Sequence, residues 1–178
     1  SEVAAMNVFW FPKGFNLSSY EVIVKDLKMW WAYSNTLIYV GVGTILNCLM
    51  AVLGAYPLTV RNLKGRKWVV AFLLIPMYFG GGLIPSFLLV NKLGLYNTML
   101  AIIIPGMVSI WNIILVRTFF TTIPDGLKES AFIDGASHLQ LLFRIIIPIS
   151  KPILAVIAIY SIVGIWNSWF DALVYLPN

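Results

Sequence analysis

The sequence has very few of the residues that catalysis and metal binding most often use. It contains one cysteine, Cys48, and one histidine, His138, in 178 residues. A lone cysteine inside an apolar run excludes a disulfide framework and a thiolate metal site. His138 directly follows Ser137, which is not a catalytic arrangement, because a nucleophile and its base must converge in space beside an orienting acid. We therefore predict no enzyme activity, no metal and no cofactor held by this chain, and we expect His138 to be an exposed residue at a helix start.

Charged side chains are also scarce. Asp, Glu, Lys and Arg make up 11% of the residues and hydrophobic residues 60%, whereas soluble domains carry about 25% charged residues. A buried core explains one apolar run, but not several runs of the roughly 20 residues that a membrane span needs. The seven acids lie outside these runs, so no intramembrane carboxylate indicates a proton relay. The composition disfavours a soluble domain and a proton-coupled transporter.

Two further classes lack their signatures. The net charge of +5 comes from basic residues at the ends of apolar runs, without a basic face or an aromatic platform, so no nucleic-acid partner is predicted. The glycines 80–82 are not followed by the Gly-Lys-Ser/Thr of a phosphate-binding loop. If the chain takes part in an ATP-driven process, ATP must be bound by a partner.

What the sequence does contain is a series of apolar runs, which predicts an all-α, polytopic transmembrane helical bundle. We place four spans at residues 35–60, 68–90, 98–116 and 153–170. Residues 1–34 are predicted to be an extracytoplasmic segment in which Ser18 and Glu21 form a capping box. Its helix either lies along the membrane surface or is an ordinary loop helix outside the membrane. Membrane lipid is an expected partner of the chain. Trp30 and Trp31 are expected at the level of the lipid headgroups.

Glycine and proline are concentrated at two places in these runs. In the first span, Gly41, Gly43, Gly54 and Ala55 suit close helix packing. The second span is interrupted by Pro76, the glycines 80–82 and Pro85, which predicts a broken or kinked helix. Irregular backbone at membrane depth is tolerated where protein or a water-filled cavity covers it. A packing kink and a lining of the transport pathway both remain open.

The basic residues predict the orientation of the chain. Four spans put the loop at 61–67 and the segment at 117–152 on one side of the membrane. That side carries eight Lys and Arg residues and the other side four, so the positive-inside rule places it in the cytoplasm. The eight are Arg61, Lys64, Arg66, Lys67, Arg117, Lys128, Arg144 and Lys151, and the four are Lys13, Lys25, Lys28 and Lys92.

Residues 117–152, here called the polar segment, mix acids, bases and glycines between two apolar runs. Thr122 with Asp125 and Ser137 with Gln140 have capping-box spacing, which predicts two short helices. Gly135 between them allows a sharp turn, because glycine reaches positive φ without steric cost. Helical spacing puts Leu127, Ala131 and Asp134 on one face. The segment is therefore predicted to be a compact pair of helices rather than a slack loop.

The polar segment resembles the EAA loop of the inner-membrane permeases of ABC importers, which have the MetI-like fold. The resemblance rests on Glu129-Ser130-Ala131, Asp134-Gly135-Ala136 and Ile147-Pro148. It departs from the family pattern at Ser130, where alanine is usual, and at Ile147, where leucine is common. The surrounding residues look most like the sugar and oligosaccharide branch, which contains the maltose-type permeases.

This resemblance implies a function, a location and partners. The chain would be a multi-pass permease subunit in the cytoplasmic membrane of a bacterium or archaeon, moving oligosaccharides by alternating access. Its partners would be a pair of cytoplasmic ATP-binding subunits, a second permease subunit and an extracytoplasmic solute-binding protein. The family usually has six spans, so one span is expected before Ser1 and one after Asn178. A non-sugar cargo such as polyamine, phosphate or amino acid is the alternative, and a membrane scaffold a more distant one.

The resemblance also implies roles for single residues. The polar segment would form a coupling helix that docks in a cleft of the ATP-binding subunit. Glu129 would meet basic or polar groups of that cleft, unless it is simply a solvated acid on a helix surface. Ala131 would allow close approach, and Gly135 would keep the turn rigid. The motif positions expected in ATPase coupling are Glu129, Ser130, Ala131, Asp134, Gly135, Ala136 and Pro148.

Aromatic and amide side chains near the spans are candidates for the solute path. Aromatic faces and amide donors suit sugar rings, which present C–H patches between hydroxyl groups. The alternative is that a tryptophan near a membrane boundary is an interfacial anchor. The candidates are Tyr78, Trp111, Asn112, Trp166 and Asn167.

Overall fold

The computed structural model describes residues 17–60 and 63–177, and in these ranges the chain is helical without a strand. By its internal contacts the chain divides at residue 36 into two units. The helices are α1 Ser18–Lys25, α2 Leu27–Ala55, α3 Arg66–Tyr78, α4 Leu83–Lys92, α5 Leu100–Gly106, α6 Ile110–Thr122, α7 Asp125–Ile133, α8 His138–Leu141, α9 Ile147–Ile149, α10 Lys151–Trp166 and α11 Trp169–Tyr175. A 3₁₀ turn at Pro57–Thr59 follows α2, and a π turn at Leu142–Ile146 joins α8 to α9.

The unit that ends at residue 36 contains α1. The helix begins at Ser18, and Leu17 occupies the N-cap position that the expected capping box gave to Ser18. The indole Nε1 of Trp30 donates to the carbonyl of Val24 at 2.9 Å. The first part of the predicted extracytoplasmic segment, residues 1–16, lies outside the described residues, as does Arg61 of the basic loop.

One helix and three bent helix pairs account for the apolar runs. The stretch Leu27–Thr59, which is α2 with its 3₁₀ extension, is long and apolar enough to cross a membrane without a break. Three more spans are reached if each bent pair counts as one, with bends of 110° between α3 and α4, 42° between α5 and α6, and 81° between the His138–Ile149 stretch and α10. The helix that contains the first predicted span begins at Leu27 rather than near residue 35, so Trp30 and Trp31 lie inside it.

Proline and glycine account for the bends. Pro76 has no N–H for the carbonyl one turn earlier, and the helix ends two residues later. Gly82 then adopts φ +82°, which a side chain would disfavour. The predicted break in the second span is confirmed. Pro105 precedes the end of α5 in the same way, and Pro148 and Pro152 flank the bend at Ser150, directly after the π turn.

The predicted fourth span, 153–170, is divided by a break at Asn167 and Ser168. The Asn167 amide donates to the Val163 carbonyl at 2.8 Å, and the Ser168 hydroxyl donates to the Ile165 carbonyl at 2.6 Å. The same two carbonyls also accept from the backbone N–H groups of Asn167 and Ser168, each at 3.1 Å, so side chains and backbone together close the end of α10. The chain resumes as α11 at Trp169.

Two of the three glycines predicted to allow close packing do so. A Cβ on Gly43 would lie 2.7 Å from Ile165 Cδ1 of α10, and one on Gly54 would lie 3.1 Å from Ile113 Cδ1 of α6. The expectation is wrong for Gly41, where a Cβ would meet no atom within 4 Å. Small residues therefore bring α2 close to α6 and α10, as they do in many membrane helix pairs.

A single apolar core joins the polar segment to three long helices. Its residues come from the end of α2, its 3₁₀ turn, α6, α7, α8, the π turn and α10. They are Ala51, Val52, Ala55, Leu58, Ile113, Val116, Phe120, Ile123, Ala131, Leu141, Leu142, Ile146 and Ile157. Side chains of the polar segment and of these helices therefore share one close-packed interior.

Candidate functional site: the polar segment and a polar-lined cavity

The turn at Gly135 is a Schellman motif that ends α7. The N–H of Ala136 donates to the Ala131 carbonyl at 2.9 Å, and the N–H of Gly135 donates to the Phe132 carbonyl at 3.0 Å. Gly135 has φ +81°, a left-handed conformation that costs other L-residues free energy. The predicted sharp turn is confirmed. The motif residues Asp134, Gly135 and Ala136 are thus the residues that stop one helix and redirect the chain.

The two capping boxes predicted in the polar segment have opposite outcomes. Ser137 and Gln140 form a complete box, with the Gln140 Oε1 accepting from the Ser137 N–H at 2.8 Å and the Ser137 hydroxyl accepting from the Gln140 N–H at 3.3 Å. The box of Thr122 and Asp125 is wrong. Pro124 occupies the N-cap position of α7, and the Thr122 hydroxyl donates back to the Phe119 carbonyl at 2.7 Å.

His138 links the polar segment to the end of α2. It is exposed at the first position of α8, as predicted. Its Nδ1 lies 2.9 Å from the Tyr56 hydroxyl, and its ring packs edge-on against Phe132 with centroids 4.9 Å apart. Nearby on α7, Lys128 pairs with Asp125 at 3.3 Å. These contacts hold the two short helices of the polar segment against each other and against the residue that follows α2.

The motif residues expected in ATPase coupling differ in their exposure to solvent. Glu129, Ser130, Asp134 and Pro148 are exposed, which leaves them accessible to another protein. Ala131 is only 5% exposed and belongs to the apolar core. The structure therefore differs from the expected role of Ala131 in close approach to a partner, because that side chain already packs inside this chain.

Sequence reasoning missed Ile133, which is 86% exposed at the end of α7 beside Asp134. Leu139 on α8 is also largely exposed. The sequence carried a signal of this exposure. Ile133 is two positions after Ala131, so helical spacing puts it on the face of α7 opposite to the buried one, directly before an acid and the turn glycine. An exposed apolar patch rimmed by polar residues is typical of a protein-binding surface.

A cavity of about 530 Å³ lies at the ends of α6 and α10 that are remote from the polar segment. Small-molecule sites have volumes of roughly 300–1,000 Å³. The cavity, here called the main cavity, is lined by Asn47, Ser86, Ala101, Ile102, Pro105, Gly106, Ser109, Trp111, Asn112, Tyr160, Ser161, Gly164, Ile165, Ser168, Asp171 and Tyr175. Its size and mixed lining suit a polar organic solute.

Two of the five candidate solute-path residues line the main cavity. Trp111 is half-exposed there, and Asn112 is buried at its wall. The other three candidates are absent from the lining. Tyr78 is exposed at the end of α3, Trp166 ends α10, and the Asn167 amide is bonded to the α10 backbone.

Asn47 is the centre of a buried polar network on the wall of the main cavity. Its Nδ2 donates to the carbonyl of Gly106 at 3.0 Å, at the break between α5 and α6. Its Oδ1 accepts from Asn112 Nδ2 at 2.7 Å and from the Ser161 hydroxyl at 3.0 Å. The network thus joins α2, the α5–α6 break, α6 and α10. Asn47 was not predicted as a site residue, although an amide in the middle of the first apolar run was a signal of it.

The lining of the main cavity carries a net negative charge. Asp171, exposed in the first turn of α11, is the one charged side chain among the described residues of the lining. Rings of Trp111, Tyr160 and Tyr175 and hydroxyl groups of Ser86, Ser109 and Ser168 complete the polar and aromatic surface. The cavity therefore offers ring faces and hydrogen-bonding groups, with a formal charge that is negative.

Comparisons with known proteins find a family that agrees with the resemblance of the polar segment and with the helical fold. Residues 43–170 match the family described as the binding-protein-dependent transport system inner membrane component. The chain is 37% identical to Protein LplC of Bacillus subtilis over all 178 residues, which is 60% of that protein. It is 34% identical to the polygalacturonan/rhamnogalacturonan transport system permease protein YtcP of the same organism, over 99% of this chain and 62% of that protein.

A solved structure matches the fold closely. It is the crystal structure of a bacterial ABC transporter involved in the import of the acidic polysaccharide alginate, with a TM-score of 0.83 and 34% identity. The match covers 90% of this chain and 57% of that one. The present chain thus spans about 60% of the length of the relatives it matches.

Proposed function

Since the chain belongs to the family of inner membrane components of binding-protein-dependent transport systems, we propose that it is a permease subunit of an ATP-binding-cassette importer for carbohydrates. The suspected family and its helical MetI-like fold are confirmed by the family match and by the alginate importer. The activity, the cargo and the partners are the content of the proposal.

The observation that carries the proposal is the apolar core shared by the polar segment and the long helices. Ala131 of α7 and Leu141 of α8 are buried in the same cluster as Val116 and Phe120 of α6 and Ala55 of α2. A partner that pushes on the exposed side of α7 therefore moves α2, α6 and α10 with it. Domain closure in an ATP-binding subunit needs a stiff contact of this kind to change the access of a solute path.

The exposed surface of the polar segment is the proposed docking site for the ATP-binding subunit. Glu129 and Asp134 supply negative charge, and Ile133 supplies an apolar anchor between them along the chain. A central apolar contact with a charged rim is the usual composition of a specific interface. Glu129, Ser130 and Pro148 are proposed to contact the partner, while Ala131, Gly135 and Ala136 hold the shape of the surface.

The main cavity is the proposed solute path. It lies away from the polar segment and is lined by aromatic rings, hydroxyl groups and an amide, which match the C–H faces and hydroxyl groups of sugars. Two matched proteins are named for the transport of polysaccharides. Phosphate is a poor alternative, because the lining lacks a cationic side chain among its described residues. Trp111 and Asn112 are the members of the predicted path retained here.

The proposed location is the cytoplasmic membrane, with the polar segment in the cytoplasm. The family description names an inner membrane component, and the eight-to-four distribution of basic residues supports the cytoplasmic side for the polar segment. A pair of ATP-binding subunits, a second permease and an extracytoplasmic solute-binding protein are the proposed partners, and ATP is bound by the ATP-binding subunits.

Reversing the charge of Glu129 tests the coupling role. In the full-length chain reconstituted with its partner subunits in liposomes, Glu129→Lys should lower ATP-driven sugar uptake and stimulated ATP hydrolysis together by about tenfold or more, because like charges across an interface are strongly unfavourable. Folding should be unaffected, since Glu129 is exposed and makes no ion pair within the described part of the chain.

The matched control is Glu21→Lys on α1. Glu21 is also exposed and has a weak partner in Lys25 at 3.9 Å, so its loss should matter little. If uptake and stimulated hydrolysis both survive Glu129→Lys, the coupling role is wrong.

A further inference from the structure

We propose that the part of the solute path built by this chain selects uncharged carbohydrate against sugars that carry carboxylates, and that Asp171 is the discriminating residue. The inference rests on the proposed function and deepens it by stating the charge of the cargo. It distinguishes this chain from matched proteins whose names include alginate, an acidic polysaccharide, and polygalacturonan.

The main cavity has a negative side chain in its lining and no positive one among the described residues. A site built for uronate rings would place arginine or lysine at the ligand, because a carboxylate is best held by charge-assisted hydrogen bonds. Among the described residues of the lining no Lys, Arg or His occurs. The nearest cation in the sequence of α4, Lys92, lies six residues beyond the lining residue Ser86 and is not part of the wall.

Asp171 has no ion-pair partner among the described residues. It is exposed in the first turn of α11, and in residues 17–60 and 63–177 it takes part in no ion pair. Its charge is therefore not neutralised by a neighbouring side chain of this chain. A carboxylate brought into the same cavity meets a like charge, and the two charges repel each other.

Asp171 and the neighbouring aromatic rings can bind a neutral sugar. Its oxygens accept hydrogen bonds and donate none, and a sugar ring presents hydroxyl donors in several directions. Trp111 and Tyr160, each about half-exposed on the same cavity, supply ring faces for the C–H patches between those hydroxyls. One arrangement thus favours a hydroxylated ring and disfavours a carboxylated one, which is how specificity is obtained from repulsion as well as attraction.

The test uses the assembled transporter with its partner subunits in liposomes, driven by ATP. The probes are labelled maltotriose, xylotriose, α-1,4-galactotriose and trigalacturonate, of which the last two differ by a hydroxymethyl group against a carboxylate on each ring. At least one neutral trisaccharide should enter about tenfold faster than trigalacturonate. Asp171→Asn should reduce that ratio severalfold, whereas Asp171→Glu, which retains the charge, should preserve it.

The outcomes separate the two proposals. Trigalacturonate uptake equal to or faster than that of every neutral probe, or a ratio that Asp171→Asn leaves unchanged, overturns the selectivity and leaves the permease function standing. ATP-driven uptake of none of the four saccharides overturns the carbohydrate function and the selectivity with it. Glu21→Gln on α1 is the control for removal of an exposed negative charge elsewhere.

Discussion

Replacing Gly135 with valine is expected to lower both ATP-driven uptake and stimulated ATP hydrolysis by about tenfold. Gly135 has φ +81°, and a Cβ added to it would meet no atom within 4 Å, so the effect comes from the backbone and not from a clash. A left-handed conformation costs an L-residue about 1–2 kcal/mol, and a β-branched residue is poorly suited to it. Because the Schellman turn orients α8 against α7, the penalty falls on the contact that transmits force. The measurement is uptake and hydrolysis by the reconstituted transporter.

Gly135→Asn is the matched control for this prediction. Asparagine tolerates the left-handed region better than other side chains, and nothing within 4 Å of the Cβ position obstructs it. Its activity should remain near that of the unaltered chain. If valine and asparagine reduce activity equally, the size of the side chain at a binding surface is responsible, and the explanation from the turn is wrong.

Replacing Asn47 with leucine, which is similar in size, is expected to destabilise the chain strongly. It leaves the Gly106 carbonyl without its donor, and the Asn112 amide keeps only the longer contact to the Ser161 hydroxyl at 3.4 Å. An unsatisfied buried polar group costs about 1–3 kcal/mol, and membrane surroundings supply little water to replace the lost bond. The thermal unfolding midpoint in detergent should fall by roughly 10 °C, with a lower amount of protein in the membrane.

Asn35→Leu provides the control on the same helix. Asn35 is exposed on α2, so the same change of side chain there should leave the unfolding midpoint within a few degrees. Equal stability of the two variants would show that the Asn47 network does not hold the α5–α6 break in place.

Local features of the polar segment were predictable because they depend on neighbouring residues. The turn at Gly135 and the box of Ser137 and Gln140 need only a glycine or two polar side chains at fixed spacing. The break after Pro76 follows from a missing N–H in the same way. Thr122 had the right spacing for a cap, but its hydroxyl bonds to α6 and Pro124 takes the N-cap position. Spacing alone does not decide whether a hydroxyl accepts from an N–H of the following helix or donates to a carbonyl of the preceding one.

The composition of the main cavity was harder to predict because it depends on which helices meet. Asn47, Asn112 and Ser161 are separated by 49 to 114 positions along the chain, and no local pattern brings them together. The resemblance to a family gave a role for Ala131 but not its burial, since burial depends on the packing of α7 against α6 and α2. Trp166 and Asn167 lie between Ile165 and Ser168, which both line the cavity, yet neither belongs to the lining.

The most direct test of the account is a cross-link from Ile133, the exposed apolar residue of the proposed docking surface. Ile133→Cys, with the sole cysteine Cys48 replaced by serine, would carry a photoactivatable cross-linker in the assembled transporter. The same label at Leu173→Cys, 67% exposed on α11, is the comparison for the opposite end. The account predicts capture of the ATP-binding subunit, identified by its Walker A peptide in mass spectrometry, from position 133 and not from position 173. Capture of that subunit from position 173, or from neither position, would contradict it.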